Sequence, residues 1–168
     1  KYEDAFDLYF NKMGVKPRET KKRCGYTSWY NYYNRISQDI INRDLESIAA
    51  QDIKFDCFQI DDGYQDKIGD WLVTDKKKFP NGMKAVADSI HSKGMIAGLW
   101  LAPFAGVRAS RLFKEHPDWF VKDKHGKPYN TGHNWGGFYS LDIYNEGART
   151  YIKHVFDTVL NEWGYDLV

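Results

Sequence analysis

Two adjacent carboxylates, Asp61 and Asp62, end the apolar run Phe58-Gln59-Ile60 and are followed at once by Gly63-Tyr64. Successive side chains on a strand point to opposite faces, so neighbouring aspartates can serve one site only where the strand stops and the backbone turns. In a β/α architecture that end is the functional rim. Carboxylates there can accept hydrogen bonds from sugar hydroxyls, bind a divalent cation, or cap a strand and turn. They do not suit the two carboxyl groups of a glycosidase, which flank a sugar ring about 5–5.5 Å apart in a retaining enzyme, whereas neighbouring Cα atoms are only about 3.8 Å apart. No glutamate or histidine cluster lies within a few residues of the pair to complete a metal site.

Flat apolar rings are the second resource. Aromatic residues make up 17% of the chain and six are tryptophan, and such rings serve cores and sugar clefts alike. Trp29 and Trp100 each fall late on an expected strand, which favours the pocket over the core. Asp70-Trp71 follows the second strand in a loop and either shapes its wall or faces substrate. Asp142, ending an extended segment, organises the rim or makes a local turn. The histidines at 91, 116, 125, 133 and 154 lack metal-ligand spacing and are expected at the surface or in caps.

These side chains need a scaffold, and the hydrophobic pattern supplies a repeating one. Strands are expected over 24–30, 55–60 and 95–102, the last apolar nearly throughout, as a strand buried on both faces should be. Helical spacing recurs over 2–13, after Ser37, after Phe79-Pro80-Asn81-Gly82, near 110–116 and over 146–163. The helix at 2–13 is amphipathic and is expected to pack on something. Tyr165-Asp166-Leu167-Val168 then opens a fourth strand. Three β-α units and a further strand make half of a (β/α)8 TIM barrel, which typically needs about 250 residues. A small doubly wound sheet is the alternative, but the glycine fingerprint for phosphate is missing after the first strand.

Bulk composition agrees with a packed domain: 168 residues, 42% hydrophobic, 28% charged, net charge +1. The short run Lys76-Lys77-Lys78 is locally basic, which reads as a solvated face and gives nucleic-acid binding little support. Cys24 and Cys57 are expected as free, buried hydrophobes without a disulfide framework. The apolar run 95–107 contains Gly98, Pro103 and Gly106 and is too short to span a bilayer.

Several motifs, taken in order and spacing, carry a resemblance. They are Gly25-Tyr26-Thr27-Ser28-Trp29-Tyr30, Phe58-Gln59-Ile60-Asp61-Asp62-Gly63-Tyr64, Ile68-Gly69-Asp70-Trp71, Phe79-Pro80-Asn81-Gly82-Met83, His91-Ser92-Lys93-Gly94, Gly98-Leu99-Trp100-Leu101-Ala102-Pro103-Phe104 and His116-Pro117-Asp118-Trp119. Together they resemble the retaining α-galactosidases of glycoside hydrolase family 36 and, more loosely, those of family 27. The resemblance implies a (β/α)8 catalytic domain, usually between a large β-sandwich and a smaller β domain. Residues 1–14 would be a connector helix from the N-terminal domain, and 20–168 the first half of the barrel, through strand 4. The implied activity is hydrolysis of terminal α-linked galactose from sugars such as melibiose and raffinose, although some relatives transfer galactose to another sugar instead.

Residues matching Asp61 and Asp62 bind galactose hydroxyls in that family, mainly those at carbons 4 and 6, and residues matching Trp29 and Trp100 line the same pocket. The family nucleophile follows a lysine just past strand four, in a pattern like Gly-Tyr-x-x-x-Lys-x-Asp. Gly164-Tyr165-Asp166-Leu167-Val168 supplies its opening only, and the acid/base belongs to a later strand. Both catalytic carboxylates are therefore expected beyond Val168, and this chain alone is expected to be inactive. Before Leu141-Asp142, where relatives often carry an arginine near the sugar, this sequence has His133-Asn134-Trp135 and two glycines. The expected partner is a galactoside oligosaccharide, with no nucleic acid, membrane, cofactor or metal, in the cytoplasm. A half-barrel with open sheet edges is expected to self-associate. A non-catalytic sugar-binding or scaffold module is the competing reading.

Overall fold

The computed structural model describes residues 1–15 and 21–168; Thr20, the expected start of the half-barrel, lies outside the described residues. Strands β1 (Gly25–Thr27), β2 (Cys57–Ile60) and β3 (Ile96–Leu99) form a parallel sheet in the order β1-β2-β3, with Tyr26 beside Phe58 and Phe58 beside Ala97. Residues 165–168 extend the series. The Asp166 and Leu167 N–H groups donate to Ala97 O at 2.9 and 3.2 Å, Leu99 N–H donates to Leu167 O at 2.9 Å, and Gly98 bridges Leu167 in parallel. Neighbours in space are neighbours in sequence, as in a barrel wall, whereas a doubly wound sheet reverses direction beside its first strand. The described strands make a partial, unclosed wall.

Helices α1 (Tyr2–Lys12), α2 (Trp29–Tyr32), α3 (Gln38–Ala49), α4 (Gly82–Ser92), α5 (Arg111–Glu115) and α6 (Glu146–Asp157) precede and join these strands. A parallel pair needs a crossover, and α3, α4 and α6 provide it. Ser37 caps α3 as its sequence position predicts, its Oγ accepting from Ile40 N–H at 3.4 Å. Ile41 and Leu45 of α3, Val86 and Ile90 of α4, and Val155 of α6 are buried against Phe58, Ile60, Ala97 and Leu99 of the sheet. Each large side chain so buried stabilises by about 1.5–3 kcal/mol. The helical run expected over 146–163 loosens after α6 into a π turn, Thr158–Glu162, before Gly164 turns the chain at φ +77°.

All three strands are shorter than expected, because β1 gives way at Ser28 to α2 and β3 leaves the ladder after Leu99. The segment 103–145, in which the sequence predicts the short helix α5 and an extended stretch ending at Asp142, forms a small antiparallel sheet. Its strands β4 (Ala105–Gly106), β5 (Asn130–Gly132) and β6 (Phe138–Ser140) lie in the order β4-β6-β5. Leu112, Phe113, Phe120, Tyr139, Leu141 and Ala148 make a second core beside it. Helix α1, expected to pack on something, buries none of its side chains against the described residues and leaves Tyr2, Phe6, Tyr9 and Phe10 exposed. Cys24 and Cys57 are both free, but Cys24 is exposed and Cys57 half-buried, against the expectation of burial, because they sit at the entry ends of β1 and β2, where the sheet meets solvent. No helix among the described residues is long and apolar enough to cross a membrane.

Asp166 fastens residues 165–168 to β3: its Oδ2 accepts from Ala97 N–H at 2.9 Å and lies 2.7 Å from His91 Nε2 of α4. Partial burial pulls this carboxyl upward, but the His91 hydrogen bond, the Ala97 N–H and the His91 charge outweigh it and hold the carboxyl below its ordinary range. A depressed carboxyl contributes stability that is present above its unfolded value and lost as pH falls through the folded one. Asp166→Asn is therefore expected to destabilise the fold above about pH 4, with the difference from wild type vanishing on further acidification in urea titrations. A difference that grows on acidification would mean that Asp166 does not hold this edge through its charge.

Candidate functional site

The parallel register brings the C-terminal ends of β1, β2 and β3 to one rim. Ser28 ties the first two ends together: its N–H donates to Gln59 O at 3.2 Å and its buried Oγ accepts from Asp61 N–H at 2.9 Å. Trp29, expected at a strand end, instead opens α2, so its indole projects from a turn that Ser28 holds against Asp61. The third end is joined by Trp100 N–H donating to Ile60 O at 2.8 Å, which sets Trp100 beside the same carboxylates.

Asp61 receives the Thr27 hydroxyl at 3.3 Å on Oδ2 and the Asp62 N–H at 2.8 Å on Oδ1. Asp62 is only 6% exposed. Gln65 Nε2 donates to its Oδ1 at 2.6 Å, and the Trp135 indole N–H donates to its Oδ2 at 3.0 Å. The turn that separates the pair from Tyr64 needs glycine: Gly63 has φ +120°, and a Cβ there would lie 2.5 Å from the Asn34 carbonyl oxygen. Lys78, half-buried at the end of the basic run, donates its Nζ to Asn34 O and Gly63 O at 2.9 and 3.0 Å. One lysine of the expected solvated face thus clamps the site's turn.

Trp29, Asp61, Asp62, Trp100, Asn134 and Trp135 line a cleft of about 550 Å³, within the range of small-molecule sites. Four of these are residues that the sequence nominates. Asn134 and Trp135 lie in the connection between β5 and β6 and were not nominated as ligand contacts, although a tryptophan followed by Gly136-Gly137 in a polar stretch has no core to fill. The remaining two candidates lie behind the cleft. Trp71 is fully buried and meets Trp100 edge to face, with centroids 5.8 Å apart. Asp70 is buried too, and its oxygens accept from Arg111 and Leu112 N–H at 2.9 and 3.0 Å, capping α5. Asp142 makes a local turn, accepting from Tyr144 N–H at 2.9 Å.

The cleft can accept hydrogen bonds at its carboxylates and offer ring faces to an apolar surface. Among the described residues, no group of three histidine, cysteine, aspartate or glutamate side chains could hold a metal ion. Burial pushes the Tyr64 phenol well above its ordinary range, with Tyr165, Tyr151 and Asp62 adding to the effect, so beneath the rim Tyr64 stays neutral.

Residues 16–168 match the profile of the family described as Melibiase. The chain belongs to the melibiase family of α-galactosidases. It is 33% identical over 136 residues to an A type blood α-D-galactosamine galactosaminidase of Flavonifractor plautii, covering 76% of this chain and 12% of that protein. Identity to an α-galactosidase of Escherichia coli is 31% over 159 residues, covering 90% of this chain and 22% of that one. The α-galactosidase of Thermus thermophilus, solved in complex with p-nitrophenyl α-D-galactopyranoside, superposes with a TM-score of 0.81 at 39% identity, over 96% of this chain and 33% of that one. The melibiase-family chain described here thus spans between 12% and 33% of these relatives' length.

Asp70→Ala leaves two N–H groups of α5 without their acceptor and is expected to lower stability by about 1–2 kcal/mol in urea unfolding. In the full-length protein, affinity for an aryl α-galactoside should stay unchanged. Lost affinity at unchanged stability would return Asp70 to the ligand site.

Proposed function

We propose that this chain is the galactose-recognition half of the (β/α)8 catalytic domain of a retaining α-galactosidase that acts on galactoside oligosaccharides. The observation that carries the reading is the convergence of Asp61, Asp62, Trp29 and Trp100 on one cleft at the C-terminal ends of adjacent parallel strands. Sugar hydroxyls donate to the carboxylates, and a misplaced hydroxyl leaves a desolvated carboxylate unpaired, which is how such a pair separates epimers. The tryptophans offer flat faces to the C–H side of the ring. The Thermus thermophilus α-galactosidase, solved both with p-nitrophenyl α-galactoside and with stachyose, supports a galactoside ligand.

The catalytic carboxylates belong, on this proposal, to chain beyond Val168. One attacks the anomeric carbon to give a covalent galactosyl intermediate while the other protonates the leaving oxygen, and water then releases galactose with retained configuration. The exposed aromatic residues of α1 support its role as a connector to a preceding domain.

In the full-length protein, Asp62→Ala is expected to lower kcat/KM on an aryl α-galactoside by about 100-fold or more, the loss of charge-assisted hydrogen bonds to the sugar. The 168-residue chain alone should show no turnover; activity in it would mean that the catalytic carboxylates lie within it. The same chain, in which β1 and residues 165–168 are the outer edges of the parallel sheet among the described residues, is expected to sediment as a dimer or larger species. A well-behaved monomer would count against an open half-barrel.

A further inference from the structure

The Asp62 carboxylate is gripped from two directions of different origin. Gln65, which holds Oδ1, belongs to the same turn, and its own Oε1 accepts from Gly63 N–H at 3.2 Å. Trp135, which holds Oδ2 at 3.0 Å, arrives from a segment 73 residues away. Its indole is 38% exposed, so burial in a core does not anchor it. The ring instead leans on Trp100, with centroids 6.1 Å apart, and meets Phe138 edge to face at 5.5 Å.

The backbone beneath this ring is unusual as well. Trp135 has φ +56° and is followed by Gly136 at +80° and Gly137 at +111°. Among the described residues the only other non-glycine with positive φ is Tyr33, whose ring packs edge to face on Trp29 of the same cleft. A bulky L residue keeps such a conformation only where its surroundings over-determine it, and these residues cluster at ligand sites. For Trp135 the surroundings are the Asp62 carboxylate and the cleft's own rings.

We propose that Trp135 is a positioning and specificity-determining residue for galactose, fixing the plane of the Asp62 carboxylate through its N–H and walling the cleft with its ring. The proposal rests on the recognition role assigned to Asp62 above. An ionised carboxylate has about four acceptor sites. With Gln65 on one oxygen and Trp135 on the other, about two remain, and their directions are set by the protein before any sugar arrives. A hydroxyl presented from the wrong side, as by the C4 epimer glucose, then finds no acceptor without breaking an existing bond. Without the Trp135 N–H, the carboxylate can rotate to meet either epimer.

The test uses the full-length protein with Trp135→Phe, which keeps a ring and loses the N–H, beside Trp135→Ala and Asp62→Ala. Galactose and glucose binding are read by calorimetry, and turnover on an aryl α-galactoside by steady-state kinetics. Trp135→Phe should weaken galactose binding about tenfold, the worth of one hydrogen bond to a charged group, and narrow the galactose-to-glucose preference. KM should rise while kcat changes less than about twofold, because the interaction acts on bound sugar throughout the reaction. Trp135→Ala should bind more weakly still. Wild-type affinity and preference in Trp135→Phe, or a lower kcat at unchanged KM, would overturn the proposal. If Asp62→Ala loses binding and Trp135→Phe does not, this inference alone fails. If Asp62→Ala also binds as wild type, the recognition reading fails with it.

Discussion

β2 is hydrogen-bonded along both edges, to β1 from Gly25–Cys57 through Thr27–Gln59 and to β3 from Cys57–Ile96 through Ile60–Leu99. Because all three strands run the same way, their last residues reach one edge of the sheet together. Everything at the rim inherits that register. Shifting β2 by one residue would turn buried Phe58 and Ile60 to the opposite face and carry Asp61 away from Ser28. The core that resists such a slip is built from α3, α4 and α6, so helix residues remote from the cleft fix where its carboxylates stand.

Placing a carboxylate as deeply as Asp62 opposes folding unless donors replace the water it loses, since the effective penalty for a buried ion is several kcal/mol. The donors here are neutral, an amide and an indole, so they compensate the charge without cancelling it. Asp61 is treated alike by a hydroxyl and a backbone N–H. The nearby cation, Lys78, bonds instead to the carbonyl oxygens of Asn34 and Gly63. It stiffens the turn and leaves both carboxylates free to meet a ligand as charged acceptors.

How much could be read beforehand follows from the range over which each feature is encoded. Helices α3, α4 and α6 were legible because the periodicity of Ile41-Leu45, Val86-Ile90 and Ala148-Val155 is local and strong, and Ser37 announced its cap. The position of the carboxylate pair at the rim was legible because the apolar run Phe58-Gln59-Ile60 ends directly at the two acids. Asp70 and Trp71 were ambiguous for a physical reason: a buried cap and a buried indole look, in one dimension, like an acid and a ring awaiting a ligand, and only the contacts with Arg111, Leu112 and Trp100 separate the cases. β4, β5 and β6 could not be seen because strands of two or three residues carry too few alternations to register. Trp135 was hidden by the same shortfall, since its meeting with Asp62 depends on how that small sheet folds back over the rim.

The lining of the cleft narrows the chemistry it can receive. Two carboxylates face it together with an amide and three indoles, and neither lysine nor arginine is among these residues. A phosphorylated or acidic ligand would bring negative charge against Asp61 and Asp62 at close range in a partly desolvated setting, where repulsion exceeds its value in water. A purely apolar ligand would cover those carboxylates without replacing their hydration. A neutral molecule with several hydroxyls on one side and a C–H face on the other meets both demands, donating to the acids and lying against the rings. An uncharged pyranose has that division of surface. The Trp135 indole N–H completes the wall as a neutral donor to Asp62, so the pair keeps its negative character toward whatever enters the cleft.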